Sequence, residues 1–343
     1  SSQALDLRKL AFYGEIIQSH ILHLYFLVLP DLFGVGSIMP LISSHPDIVK
    51  RGMRLKKLAD DICRIVVGRH IHPISLTTGG ITHLPDIGEL KELKNLLKDS
   101  TKDLDATLGL FKTFPIPQFS KKREFISLKE DGQYAYYSGN IYSSKRYCIK
   151  PKDYKKVIKE YIVPYSTAKH VQGKKGVYMV GAMARVNNNF KQLSKRAREA
   201  AKEIGLTLQP YNPFMNNASQ LVEVYHCIED SKKIIDRLIS NGLKKEDLKR
   251  PKKFGKGVGI VEAPRGMLVH EYTIDKNGII TDANCIIPTA QNLKIMEDDV
   301  RNYVPTILGK TKEEITRDIE TLVRAYDPCI SCSTHIMDVR FDE

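Results

Sequence analysis

The feature that most constrains the fold is Leu7–Leu29, where apolar side chains recur every three or four positions along the whole run up to Pro30. A broad apolar face of that length has to be covered by other helices. Its most apolar part, Ile21–Pro30, is too short to cross a bilayer and carries His23, so it reads as a buried core helix. Pro30 should end the helix, because proline has no N–H for the next hydrogen bond. A second helix fits Pro46–Val67, and a third fits Asp86–Phe111, with Glu/Lys pairs at helical spacing. After Pro115 the pattern alternates. Arg123–Cys148 carries turn signals at Asp131-Gly132 and Ser138-Gly139 and predicts hairpin strands. Ala218–Ser240 returns to helix, and Gly257–Ile287 reads as strands with a turn at Lys276-Asn277-Gly278. Helices near Ala290–Val304 and Lys312–Tyr326 close the pattern. With no linker in view, the expected fold is mainly α with minor β (α+β): one domain over residues 1–343, a long-helix bundle with flanking β-hairpins.

Composition narrows the function classes. The net charge of +13 comes from lysine and arginine clusters that sit beside acids or in turns, not interleaved with aromatics. No nucleic-acid motif accompanies them, so the basic balance reads as surface and nucleic acid is not an expected partner. No secretion signal is visible, and a cytoplasmic location with no membrane span is expected. The chain opens at Ser1 without a Met, so a preceding segment is expected. Abundant Lys and Glu with no Trp point to a thermophilic source. Of six cysteines only Cys329 and Cys332 are close, which argues for a reducing compartment. Cys63, Cys148, Cys227 and Cys285 are expected to be buried as small apolar residues.

The exceptional stretch is Asp327–His335, "DPCISCSTH". A C-x-x-C turn points two side chains the same way and can place both sulfurs on one soft metal such as zinc, nickel or an iron–sulfur cluster. It is only half of a structural zinc site, since no second C-x-x-C exists here. A redox dithiol and chance pairing remain open on chemistry alone.

The whole motif resembles the C-terminal metal-binding signature of nickel–iron hydrogenase large subunits, Asp-Pro-Cys-x-x-Cys-x-x-His. Other stretches match that family in order: "QSHILHLYFLVLPDLFG", "GRHIHPISLTTGG", "GAMARVNN", "VEAPRGMLVHEY" and "CIIPTAQN". The form of these motifs, with Gln291-Asn292, looks most similar to the cytoplasmic bidirectional hydrogenases of the sulfhydrogenase, NAD(P)-linked type.

The resemblance implies reversible heterolytic cleavage of H2 at a nickel–iron centre whose iron carries carbon monoxide and cyanide. Cys329 would be the terminal nickel ligand and Cys332 the bridging one. Arg265 would sit above the metals, with Asp31 and Asp327 as the carboxylates that hold it. Thr289 would donate to a cyanide, and Pro264 and Pro288 would wall the diatomic ligands. His335 would coordinate a magnesium or iron ion. His72 is expected to matter for the loop that abuts the site, whereas His23 and His70 read as packing histidines and His20 carries no firm role. Implied partners are an iron–sulfur small subunit, since this chain has no cysteines for clusters of its own, and NAD(P)-reducing diaphorase-type subunits.

Two departures matter. The family's other nickel ligands lie in an Arg-x-Cys-Gly-x-Cys motif with a proton-relay glutamate close by. Here "SSQALD" resembles the segment just after it, so that motif is expected upstream. Also, Ile336–Glu343 follows His335, where a dedicated endopeptidase would cut the family's precursors once nickel is in. The expectation is therefore an uncut precursor that awaits nickel, attended by nickel-delivery and iron-ligand maturation chaperones. The rival classes are a non-catalytic, complex I-like homologue and a zinc or redox C-x-x-C protein. The intact Cys329/Cys332 pair argues against the first.

Overall fold

A computed structural model describes residues 1–208, 210–249 and 251–333, with 52% of the chain helical and 17% in strands. In chain order the elements are α1 (Ser2–Leu22), a π-helical stretch (His23–Val28), α2 (Leu29–Leu32), α3 (Met39–Ser44), α4 (Pro46–Val67), β1 (Leu76–Thr77), β2 (Gly80–Ile81) and α5 (Ile87–Phe111). Then come β3 (Glu124–Lys129), β4 (Asn140–Ser143), β5 (Tyr147–Ile149), β6 (Ile158–Tyr161), β7 (His170–Gly173), β8 (Tyr178–Met179), α6 (Ala182–Asn189), α7 (Lys195–Glu203) and α8 (Met215–Asn241). Last are β9 (Gly255–Ala263), β10 (Gly266–Ile274), β11 (Ile280–Ile286), α9 (Pro288–Tyr303), α10 (Lys312–Ala325) and α11 (Ile330–Ser333). The chain divides into two compact units. One takes Ser1–Pro115, Ser194–Gly205 and Gln220–Phe254; the other takes Ile116–Leu193, Leu206–Ser219 and the chain from Gly255.

The first unit is helical. The stripe foreseen on α1 buries Leu7, Leu10, Ile17 and Ile21, and α4 meets α1 with Ile62 and Cys63. The two helices approach closely at Gly14, where a Cβ would lie 2.7 Å from Cys63 Sγ. Pro30 does not end the first helix. The helix widens into π turns, with the Leu29 N–H reaching back to Leu24 O, and resumes as α2. Pro30 thus falls in the first turn of α2, where its missing N–H costs nothing. His20 and His23 are buried in this unit. His20 Nε2 is 2.8 Å from Glu223 Oε2, and His23 Nδ1 is 2.6 Å from Gln220 Oε1. His226 Nδ1 accepts the Ser194 N–H at 3.0 Å, and burial pushes this imidazole down to about 4. His70 is exposed rather than packed, and His72 is exposed at a φ of 58°; both lie on the exposed loop after α4.

The second unit holds the strands. β3, β4 and β5 form an antiparallel meander that β8 joins in parallel with β3; β6 and β7 form a hairpin; β9, β10 and β11 form a second meander. Their inner faces share a core that includes Ile126, Leu128, Ile141, Val171, Met267 and Val269. α9 packs on β7, β8 and β10, and α10 and α11 pack on α9. Cys63 and Cys227 are buried as expected, but Cys148 and Cys285 are exposed. Each of those two lies on a strand of a meander, where alternation sends every second side chain to the outer face.

Candidate metal centre

The "EAPRG" segment is a two-residue hairpin. Ala263 pairs with Gly266 across β9 and β10, leaving Pro264 and Arg265 as the turn. Proline pre-sets the first turn position. Gly266 follows at a φ of 133°, with a Cβ there falling 2.5 Å from Val180, so only glycine lets the turn seat against that residue. Beneath the turn lies Arg185 of α6, fully buried with its guanidinium over the Tyr136 ring. Its Nη1 donates to Ala263 O at 2.9 Å, its Nη2 donates to Pro264 O at 2.8 Å, and Glu262 balances its charge at 3.2 Å. The hairpin carbonyls that a tight turn leaves without ladder partners are thereby satisfied.

Asp327 meets Arg265 from the other side. α10 ends at Ala325, and Asp327 turns left-handed at a φ of 53° while its N–H bonds Arg324 O at 2.8 Å. Aspartate tolerates that conformation, and Pro328 bars a return to helix. The turn aims the carboxylate at the hairpin: Arg265 Nη2 is 2.9 Å from Asp327 Oδ1, and Arg265 Nε donates to Asp327 O at 2.7 Å. A hydrogen bond to the backbone and an ion pair with the carboxylate hold the guanidinium on one side, with the Asp327 side chain 2% exposed and that of Arg265 28% exposed.

One residue earlier, Tyr326 is anchored by a buried clamp. Arg123 Nη1 donates to Asp299 Oδ2 at 2.7 Å and to Tyr326 Oη at 2.9 Å, and the Tyr326 hydroxyl donates to Asp299 at 2.5 Å. Burial pushes that hydroxyl well above the usual phenol range, so it stays a donor at any ordinary pH. Asn216 adds a second anchor: its Nδ2 donates to Ala325 O at 2.9 Å and its Oδ1 accepts the Met183 N–H at 3.0 Å.

The cysteine pair follows. The Cys329 N–H donates to Thr289 Oγ1 at 3.1 Å. Thr289 is buried at the start of α9 beside Pro288, and its hydroxyl proton stays available for a further acceptor. The Cys332 N–H bonds Cys329 O at 3.1 Å, the Cα atoms stand 5.3 Å apart, and the two sulfurs touch. Ser331 Oγ lies 3.5 Å from Cys329 Sγ and 3.9 Å from Cys332 Sγ. The first turns of α9 are tied down by Gln291, which donates to Met267 O at 2.5 Å, and by Asn292, which accepts the Val180 N–H at 2.9 Å.

Pro264, Arg265, Pro288, Thr289, Asp327, Cys329 and Cys332 therefore converge within one unit. Asp31 is half-buried on α2 and belongs to the other unit. His335 and Ile336–Glu343 lie outside the described residues. Sequence reasoning did not single out Arg185, Arg123, Asp299, Tyr326, Asn216 or Ser331. Arg185 alone left a signal, as a charge set among the small residues of "GAMARVNN".

Residues 118–335 match the family signature described as nickel-dependent hydrogenase. The chain belongs to that family. Sulfhydrogenase 2 subunit alpha of Pyrococcus furiosus is 33% identical over 332 residues, 96% of this chain and 78% of that protein. The NAD-reducing hydrogenase HoxS subunit beta of Cupriavidus necator is 28% identical over 97% of this chain and 76% of that one. A crystal structure of an NAD+-reducing NiFe-hydrogenase in the H2-reduced state superposes with a TM-score of 0.86 at 27% identity, covering 97% of this chain and 80% of that one. NiFeSe-hydrogenase of Desulfomicrobium baculatum, at 17% identity and a TM-score of 0.72, shares the fold. As a nickel-dependent hydrogenase the chain is an oxidoreductase acting on H2, and the family implies nickel and iron. The donors present suit half of such a centre: two soft sulfurs, a held cation and a hydroxyl donor. Among the described residues no group of three or more His, Cys, Asp or Glu side chains is arranged to hold a metal, so these residues alone do not complete the shell. No helix among them is long and apolar enough to cross a membrane.

Proposed function

We propose that this chain is the large subunit of a cytoplasmic nickel–iron hydrogenase that cleaves H2 reversibly and passes electrons through an iron–sulfur small subunit and diaphorase-type subunits to NAD(P) or sulfur. The sulfhydrogenase and NAD-reducing relatives support the choice of acceptor. The observation that carries the site is the joint anchoring of Arg265 on Asp327 and of Cys329 on Thr289.

Nickel and iron, when bound, supply the electron exchange and the polarisation of H2, the iron carrying carbon monoxide and cyanide. Cys329 and Cys332 would hold the metals as thiolates. Asp327 fixes the Arg265 charge, and a preorganised cation beside them would stabilise developing negative charge without moving. The Thr289 oxygen is occupied by the Cys329 amide, which leaves its proton for a cyanide nitrogen. Pro264 and Pro288 border the site without an N–H that could compete. His335 would take the magnesium or iron ion. Ile336–Glu343, following His335, supports the precursor reading, in which maturation chaperones load the metals and an endopeptidase then cuts.

The test is to express the encoded protein with its partners and measure nickel content, infrared absorption and H2-dependent dye reduction. Nickel together with cyanide and carbon monoxide bands supports the reading. Zinc in place of nickel, with no such bands, overturns it. Intact mass tests the precursor idea: conversion to a chain ending at His335 once nickel is bound supports it, and an active, nickel-loaded chain that still carries Ile336–Glu343 refutes it.

A further inference from the structure

The outer face of the β9–β10–β11 meander carries a second cluster of metal-ligating groups. Cys285 on β11 stands directly across the ladder from His270 on β10, and Tyr272 follows two residues along the same face. Their polar atoms converge. Cys285 Sγ is 3.5 Å from His270 Nδ1, Tyr272 Oη is 2.8 Å from the same nitrogen, and Oη and Sγ are 3.7 Å apart. Residues of the opposite face, Val269, Glu271 and Ile286, are buried, whereas His270 and Tyr272 are half-buried and Cys285 is exposed. The third strand leaves the shelf bare: opposite His270 and Tyr272 stand Gly259 and Gly257, where a Cβ would meet nothing within 4 Å.

The triangle has the dimensions of one face of a tetrahedral site. With metal–sulfur, metal–nitrogen and metal–oxygen bonds of about 2.3, 2.1 and 2.0 Å, ligand pairs stand roughly 3.3–3.6 Å apart. The two edges that involve sulfur lie at or just beyond that range already, at 3.5 and 3.7 Å. The third, at 2.8 Å, opens with a small change in χ1 of Tyr272. A hydrogen-bonded ladder holds both strands, so little ordering cost attends binding. The cluster is also separate from the hairpin turn. Four strand residues lie between Arg265 and His270, five steps or about 17 Å of chain.

We propose that Cys285, His270 and Tyr272 form a cross-strand site for one borderline-soft divalent metal ion, of which Zn2+ is the probe, with solvent as the fourth ligand. The thiol and the phenol bind as thiolate and phenolate and release two protons to solvent, the imidazole binds through neutral Nδ1, and no electron is transferred. The site shares no residue with the proposed nickel–iron centre.

The experiment treats the full chain, in its assembly with partners, with iodoacetamide with and without Zn2+, and quantifies each cysteine peptide by mass spectrometry. Metal ligation removes the free thiolate, so Zn2+ should slow alkylation of Cys285 at least about tenfold. Exposed Cys148 should react at an unchanged rate. His270→Ala should abolish the protection, and Cys285→Ala should lower bound zinc by one equivalent with nickel unchanged. The proposal is overturned if Zn2+ leaves Cys285 alkylation unaltered, protects Cys148 equally, or still protects Cys285 fully in His270→Ala. A Cys285 inert to alkylation without metal overturns it too, since the site must be open to solvent.

Discussion

Arg123→Met tests whether the buried clamp behind Tyr326 sets the position of the cysteine segment. The substitution keeps the apolar stem and removes two hydrogen bonds to Asp299 and one to Tyr326, along with those to Lys121 O and Met179 Sδ. It leaves the Asp299 carboxylate, 1% exposed, with its charge uncompensated by Arg123. Breaking one side of a buried ion pair costs ~3–5 kcal/mol, because the remaining charge stays out of water. At ~2–4 °C per kcal/mol for a folded body of this size, the melting temperature should fall by roughly 10 °C. Calorimetry of the assembled enzyme reads this directly. Arg123→Met with Asp299→Leu removes both charges and should recover most of the loss, which is the signature of a desolvated pair rather than of lost volume. Nickel content should drop in the single variant and return in the double one, since Tyr326 leads straight into Asp327 and Cys329. A single variant that melts within about 2 °C of the parent, or a double variant as unstable as the single, refutes the reasoning.

Thr289→Val leaves the Cys329 amide without its acceptor at a cost of ~1–2 kcal/mol, and should shift a cyanide band in the infrared while nickel stays bound. Arg265→Lys cannot make both contacts with Asp327; turnover should fall by at least about tenfold with little change in melting temperature, and an unchanged rate counts against a fixed cation above the metals. Acidification should destabilise the helical unit through His226. Burial holds its pKa at about 4 when folded, against 6.5 unfolded, so its contribution is full above pH 6.5 and is lost as pH falls toward 4. That window is worth about 3 kcal/mol, and His226→Asn should flatten the dependence of melting temperature on pH between the two values.

Much of the architecture was legible along the chain. The second helix spans the predicted Pro46–Val67, and Asp86 caps α5 one residue before its first turn. Both hairpin regions appear where turn residues bracket alternating stretches. The errors came where a local rule met a tertiary alternative. Pro30 was read as a stop, but a π-helical stretch shifts the hydrogen-bond register so that proline lands in a new first turn. Isolated cysteines suggest core positions, but Cys285 occupies the outward register of a strand whose next residue, Ile286, faces in.

The sequence by itself determined the chemistry on offer: the thiol pair, the arginine after a proline, the threonine after another, and the periodic helices. These follow from residue type and short-range spacing, which local backbone geometry respects. Tertiary structure alone decided that Arg265 and Asp327, far apart in sequence, share an ion pair and a backbone hydrogen bond, and that Arg185 and the Arg123–Asp299–Tyr326 clamp hold the two segments in place. A buried charge is tolerable only where folding delivers its partner, and which partner arrives depends on strand pairing and helix packing that no local pattern encodes.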